Sequence, residues 1–313
     1  LTVAAHHGAG QNQWGPLVCA DQVSRLESWA GVDSAEGVAS ETRRHLSSPS
    51  GLRLAGQLTD HLSAYNATDD LVPYFGDYRL AHTEAYYQLK NSVCLAYHGF
   101  YSQAFATLRS VCELSLLQAT LPEGDAVSDR TLDLLGSMMP SGQALPGRDE
   151  ANWVLPWGFG ATQTPEREAT SLAEWAIDGC RTPKWPGMLR RLLNSDIARE
   201  FDSETQLSAR LRESLSSLDP YVHARGHLRS ATGLSAGNML RFSKESLSQF
   251  GTRMMCATQV SIAVLLVAFL PSATSHPQAA AGFIDFGDLH LALGVLPSKD
   301  AELLRAVYDD RDA

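Results

Sequence analysis

The chain has 313 residues, of which 44 % are hydrophobic and 19 % are charged. This composition indicates a globular protein with a large buried core, and it excludes an intrinsically disordered chain. The formal net charge of −10 at pH 7 gives no overall attraction to nucleic acid or to anionic lipid, so binding of either would need a local basic patch.

Helical period dominates the chain wherever a period is present. Residues 1–16 indicate a loose arm, and two modest helices are predicted near Leu17–Ala30 and Leu52–Tyr65. A stripe of residues at helical spacing then predicts a helix over Asp77–Tyr97. The next run, Tyr101–Ala119, is apolar nearly all round, so we expect it to form a central helix. The short step between these two runs predicts a helical hairpin or one long kinked helix.

The middle of the chain carries a long interruption. Residues 121–165 are rich in proline and glycine and predict a long excursion, which could be a functional lid or a spacer. Helical period resumes over Glu168–Asp178, Met188–Leu193 and Glu204–Leu218, and Pro220 then marks a joint.

The last long helix is predicted to begin at Ser243, which is placed as an N-cap, and to be stopped by Pro271 after Leu270. Its segment Cys256–Leu270 is the most apolar of the chain. That segment has about 15 residues, whereas a membrane span needs about 20. We therefore expect a buried core helix and no membrane association.

Alternating leucines within residues 283–296 predict a short strand, and a final helix is predicted near Ala301–Tyr308. The predicted fold class is mainly α, a helical bundle with long central helices and peripheral loop and short-strand decoration. We predict an N-terminal arm with short helices over 1–75, the bundle core over 76–270 and a C-terminal extension over 271–313.

The five cysteines are widely spaced and include no CxxC pair. They therefore predict neither a disulfide framework nor a cysteine zinc site. The first residues show no charged-then-apolar signal pattern. Together with the spacing of the cysteines, this favours a cytoplasmic location. Phosphate-loop, dinucleotide-binding, nucleophile-elbow and HExxH motifs are also absent from the sequence. We expect neither a metal nor a cofactor.

Two polar clusters are candidates for a site. Arg109 and Glu113 lie one turn apart on the helix predicted to be central, where burying either charge unpaired would be costly. They predict either an internal salt bridge that fixes helix register or the floor of a polar pocket. Tyr221, His223 and Arg225 follow Pro220. His223 could act as an acid, a base or a ligand, or it could be structural. We expect the two clusters to lie close together.

The segments His98–Gln118 and Leu215–Gly226 resemble uncharacterised bacterial helical proteins similar to the abortive-infection and HEPN-like group. In that group a helix with an LRxxxE pattern packs beside a later Tyr/Phe-x-His-x-Arg-Gly segment. The resemblance implies a helical bundle with a role in bacterial defence or stress response. Carried over by position, it selects Arg109, Glu113, Tyr221, His223, Arg225 and Gly226. HEPN ribonucleases typically carry an arginine followed by a histidine after four to six intervening residues. No such pair occurs in this sequence, so the resemblance does not imply RNA cleavage.

Two functions are consistent with these features. The first is a helical interaction or sensing module that binds a protein partner, a second copy of the chain or a small ligand, with the polar clusters mainly architectural. The alternative is a HEPN-like nuclease or nucleotide-modifying effector. There, Arg225 would stabilise developing phosphate charge and His223 would move the proton. A nucleic-acid partner is expected only under this alternative.

Overall fold

A computed structural model of the chain describes residues 32–70, 80–122, 168–176, 180–222, 242–275 and 286–309. Within these ranges 86 % of the residues are helical and no strand occurs. The α-helices of these ranges are α1 (Val32–Leu46), α2 (Pro49–Ala67), α3 (Leu80–Tyr97), α4 (Tyr101–Thr120), α5 (Leu172–Ala176), α6 (Trp185–Leu192), α7 (Asp196–Thr205), α8 (Leu207–Val222), α9 (Lys244–Ser275), α10 (Phe286–Gly294) and α11 (Ser298–Asp309). The predicted mainly α helical bundle is confirmed.

Helix α4 lies at the centre of the bundle, where it packs against α3, α6, α8 and α9. Its residues Leu108, Val111 and Leu116 are fully buried. Neighbours on several sides explain why nearly the whole circumference of this helix is apolar, because each face meets another helix. The sequence prediction of a central helix over Tyr101–Ala119 is therefore confirmed.

The helices α3 and α4 form a hairpin and not one kinked helix. Gly99 joins them with φ at 84°, a left-handed backbone conformation that glycine adopts without a steric penalty. The amide of Phe100 donates a hydrogen bond to the carbonyl of Leu95 at 2.8 Å and closes the end of α3. This arrangement satisfies carbonyls that the end of a helix leaves free.

The longest helix, α9, crosses the bundle and packs on α2, α4, α8 and α11. Ser243 caps its start as predicted, since its side-chain oxygen accepts a hydrogen bond from the amide of Ser246 at 3.1 Å. The stretch Lys244–Pro271 is long and apolar enough to cross a membrane, with a mean hydropathy of 2.0. Because 67 % of its most apolar window is buried inside the protein, these residues serve as the core of the bundle.

The helix predicted over Glu204–Leu218 is present as α8, but its start is wrong, because α7 ends at Thr205 and α8 begins at Leu207. Gln206, between them, has φ at 56°. The carboxylate of Asp202 accepts a hydrogen bond from the amide of Ser208 at 2.6 Å, so it caps the start of α8 and stabilises this break. The joint predicted at Pro220 is also wrong, because α8 continues through this proline to Val222.

Two predictions near the C-terminus are also wrong. The long helix does not stop at Leu270, because α9 continues through Pro271 to Ser275. A proline in the last turn removes a single hydrogen bond, and the buried Leu270 anchors the helix beside it. The strand expected within residues 283–296 is helix α10. Its leucines follow helical spacing, with Leu289 and Leu293 buried.

Of the helix predicted over Glu168–Asp178, only Leu172–Ala176 is helical among the described residues, and Glu168 instead forms an isolated bridge with Arg181. The helix predicted near Leu17–Ala30 and residues 123–165 of the predicted excursion lie outside the described residues. The domain boundaries predicted after residues 75 and 270 stay predictions.

Candidate functional site

The ion pair predicted from the spacing of Arg109 and Glu113 is present on α4. The Nε of Arg109 donates to Glu113 Oε1 at 3.0 Å, and Nη2 lies 2.9 Å from the same oxygen. The Arg109 side chain is 12 % exposed, and its Nη1 contacts the carboxylate of Asp219 on α8. One arginine thus bridges two carboxylates and ties α4 to the end of α8.

Tyr221 also joins the end of α8 to α4. Its ring lies 4.5 Å from the ring of Phe105, measured between centroids, and Phe105 in turn lies 6.1 Å from Phe250 of α9. The guanidinium carbon of Arg253 is 5.8 Å from the centroid of the Phe105 ring. The hydroxyl-bearing side chain of Tyr221 therefore takes part in an aromatic contact that packs three helices together.

The structure brings the two predicted clusters together only in part. Arg109 and Glu113 meet the end of α8 through Asp219, and Tyr221 packs near them on α4. The other members of the second cluster, His223, Arg225 and Gly226, lie outside the described residues. Their predicted role as acid, base or phosphate-binding groups stays a prediction.

The contacts of Arg109 determine what this cluster can do. Its guanidinium already faces two carboxylates of the chain, so it offers no uncompensated positive charge to a phosphate. Half-buried ion pairs of this kind fix the relative position of two helices. The described part of the cluster therefore behaves as a brace between α4 and α8, and Asp219 is the member that sequence spacing did not select.

We expect Arg109→Met to lower the free energy of unfolding by about 1–3 kcal/mol, between the values for exposed and fully buried pairs. In a double-mutant cycle with Asp219→Asn, the coupling should be at least about 0.5 kcal/mol. Urea-induced unfolding followed by circular dichroism measures both quantities. Arg212→Met, an exposed change on the same helix as Asp219, is the control and should shift stability by no more than about 0.5 kcal/mol. Equal effects of the two arginine variants would contradict the conclusion that Arg109 holds α4 and α8 together.

A second polar cluster, centred on His82 of α3, is buried and was not selected as a site from the sequence. His82 Nε2 lies 2.8 Å from Thr68 Oγ1, and its Nδ1 lies 3.3 Å from a carboxylate oxygen of Asp69. The ring of Tyr65 stacks on His82 at a centroid distance of 5.2 Å. The hydroxyl of Tyr65 donates to Ser115 of α4 at 2.7 Å, since the Ser115 proton goes to a backbone carbonyl.

The order threonine, histidine, aspartate in this cluster is that of a nucleophile, a base and an orienting acid. A nucleophile must reach its substrate, however, and both Thr68 and Tyr65 have no exposed surface. The Thr68 hydroxyl is also bonded to the backbone carbonyl of Tyr65 at 2.7 Å. Burial raises the pKa of the Tyr65 hydroxyl well above its ordinary value. These groups therefore cross-link α2, α3 and α4 inside the core.

A cavity of about 750 Å³ lies between α7, α9 and α11 and is partly open to solvent. We call it the α7–α9–α11 groove. Leu266 and Leu270 of α9 line it, together with Phe201 of α7 and Leu303 and Val307 of α11. A concave, mostly apolar space of this volume is typical of ligand-binding sites. Because α7 was not predicted as a separate helix, this groove could not be located from the sequence.

The cysteines differ in their access to solvent, which leads to a chemical expectation. Cys94 and Cys256 are exposed, whereas Cys112 is buried. Burial raises the pKa of the Cys112 thiol to about 11. Because the thiolate is the reactive form, we expect iodoacetamide to label Cys112 at least about a hundredfold more slowly than Cys94.

Mass spectrometry of tryptic peptides after timed labelling measures these rates. Labelling in concentrated urea is the control, since both thiols should then react alike. Fast labelling of Cys112 in the native protein would contradict its position in the core.

Within the described ranges, no three histidine, cysteine, aspartate or glutamate side chains are grouped to hold a metal ion.

The fold and these clusters define an all-α helical bundle with an apolar core, buried polar clusters and an open groove. Comparison with known proteins finds no match to the chain among family models, curated proteins or solved structures.

Proposed function

We propose that the protein is a helical interaction or sensing module that binds its partner or ligand in the α7–α9–α11 groove. The observation that carries this proposal is the groove itself, an apolar space of about 750 Å³ that the surrounding side chains leave open. The bottom of this space is formed by buried side chains such as Leu266 and Leu270, and a concave space with an apolar lining is a common position for a bound ligand. A role in bacterial defence or stress response rests on the resemblance of two short segments and is part of the proposal.

The polar clusters support an interaction module more than an enzyme. Arg109 is paired with two carboxylates, and the hydroxyl of Thr68 beside His82 has no exposed surface. Among the described residues, the chemically capable groups therefore stabilise the bundle, whereas the groove offers a surface for binding. His223 and Arg225, on which the alternative phosphodiester chemistry depends, lie outside the described residues, so that alternative stays a prediction.

Binding of Nile red, a neutral dye that fluoresces in apolar surroundings, tests the proposal. We expect saturable binding to the wild-type protein and at least about a fivefold loss of affinity in Ala306→Trp, whose indole would occupy part of the groove. Ala209→Trp is the matched control, because Ala209 is exposed on α8 and does not line the groove. Absence of binding, or equal binding by both variants, would refute the proposed use of this groove.

A further inference from the structure

One side of the groove is a single stripe of α7. Ile197, Glu200, Phe201 and Glu204 follow one another at intervals of three, one and three residues, so they share one face of the helix. Ile197 is 39 % exposed although it is a large apolar residue. Phe201 of the same stripe is buried, so Ile197 is the large apolar side chain that this face of α7 exposes beside the groove, as a helix of a bundle does toward a neighbouring helix.

The two walls of the groove are held together near one end. Lys299, near the start of α11, pairs with Glu204, near the end of α7, at 2.8 Å. Arg210 of α8 pairs with the buried Asp300, also near the start of α11. Because these two pairs fix α11 beside α7 and α8, the space between α7 and α11 is a preformed cleft and needs no rearrangement to receive a ligand.

The charge of the groove is acidic and partly uncompensated. Its two charged lining residues among the described residues are Glu200 and Glu204. The hydrogen bond and charge of Lys299 lower the pKa of Glu204, so that carboxylate is ionised and neutralised within the chain. Glu200 is exposed and has no ion-pair partner in the described part of the chain. A complementary ligand therefore carries a cation next to its apolar surface.

Resting on the function proposed above, we propose that the groove binds an amphipathic helix of a partner protein, with a lysine or arginine flanking its apolar face. A helix lays residues three and four apart into such a cleft. Exposed Ile197 of α7 and half-buried Leu303 and Val307 of α11 are the apolar side chains that such a helix would contact. The positive residue of the partner would pair with Glu200. An enclosed pocket would favour a small molecule, whereas this groove is partly open to solvent.

Two designed, fluorescein-labelled 14-residue peptides test the inference. Both carry leucines at helical spacing, and they differ only in having lysines or glutamates beside the leucines. Fluorescence anisotropy should show that the lysine peptide binds wild-type protein about twofold to fivefold more tightly than the glutamate peptide, as for an exposed ion pair. Glu200→Lys should invert this preference. Added salt should weaken the preference, because it screens exposed charges.

A control variant distinguishes pairing of the peptide with Glu200 in the groove from a general attraction by the net charge of −10. Glu41→Lys changes the net charge by the same amount on α1, at an exposed position outside the groove, and should leave the order of the two peptides unchanged. The same order in Glu200→Lys as in the wild type would overturn the inference. So would failure of both peptides to bind a protein that still binds Nile red, an outcome that leaves the proposed function intact and assigns the groove to small ligands.

Discussion

Replacement of Arg210 by methionine is expected to lower the free energy of unfolding by about 3 kcal/mol. The guanidinium of Arg210 forms an ion pair with Asp300, which lies in the first turn of α11. The Asp300 side chain is only 4 % exposed. Loss of the cation therefore leaves a buried carboxylate charge without its partner, a state that is costly in a low-dielectric interior. Methionine keeps much of the apolar stem, so the loss reports mainly on the charge.

Urea-induced unfolding monitored by circular dichroism gives the change in free energy. Arg199→Met is the matched control, because Arg199 pairs with Asp196 on the surface, where the two side chains are 61 % and 93 % exposed. That variant should lose less than about 1 kcal/mol. Adding Asp300→Asn to Arg210→Met should recover part of the stability, since no buried charge then remains. Equal losses in the two arginine variants would show that the Arg210–Asp300 pair is not buried in solution.

The helices that the sequence predicted well are those with long, unambiguous apolar patterns. Tyr101–Ala119 is apolar nearly all round, and it forms the central helix α4. The segment Cys256–Leu270 is apolar and lies in the buried part of α9. In such stretches the periodicity reports directly on burial, since each face meets a neighbouring helix.

The elements that were missed depend on contacts that no local pattern shows. The break between α7 and α8 lies at Gln206, which has a left-handed conformation although it is not a glycine. The carboxylate of Asp202 stabilises the break, but an aspartate occurs at many other positions and does not by itself predict one. Helix α7 has few apolar residues, of which Ala198 and Phe201 are buried. Short helices of this kind gain their stability from packing and not from propensity. For the same reason the groove could not be predicted, because its lining residues come from α7, α9 and α11 together.

The candidate site shows the same division between local and distant information. The Arg109–Glu113 pair could be predicted because both residues lie on one helix at a spacing that allows contact. Their partner Asp219 comes from α8, more than a hundred residues later, and its contact depends on how α8 packs on α4. Spacing within a helix therefore identified the pair, and only the tertiary structure identified the third member.

His82 illustrates the limit of a burial pattern. The helical stripe of Asp77–Tyr97 placed this histidine on the core face, which is confirmed by an exposure of 1 %. The stripe could not show that its ring is stacked against Tyr65 or that its nitrogens face Thr68 and Asp69, which lie on α2 and the turn after it. A buried histidine is explained only when its partners are known, because each buried polar atom needs one.

His82→Ala is therefore expected to lower the free energy of unfolding by about 3–5 kcal/mol, the range for removing a large buried ring. The variant leaves a cavity against Tyr65 and takes from Thr68 one of its two hydrogen-bond partners. His82→Leu fills much of the volume but offers no hydrogen bond, so the difference between the two variants separates packing from polar contacts. Urea-induced unfolding measures both.

The control for this cluster is His98→Ala. His98 lies on the loop after α3, and its ring is hydrogen-bonded to the backbone carbonyl of Cys94. The control variant should lose less than about 1 kcal/mol. Because the ring of His82 joins α2 to α3 while Ser115 joins Tyr65 to α4, its removal should also increase amide hydrogen exchange in all three helices and not in α11. Exchange that rises only around residue 82 would show that the cluster does not couple these helices, and that their packing depends on apolar contacts alone.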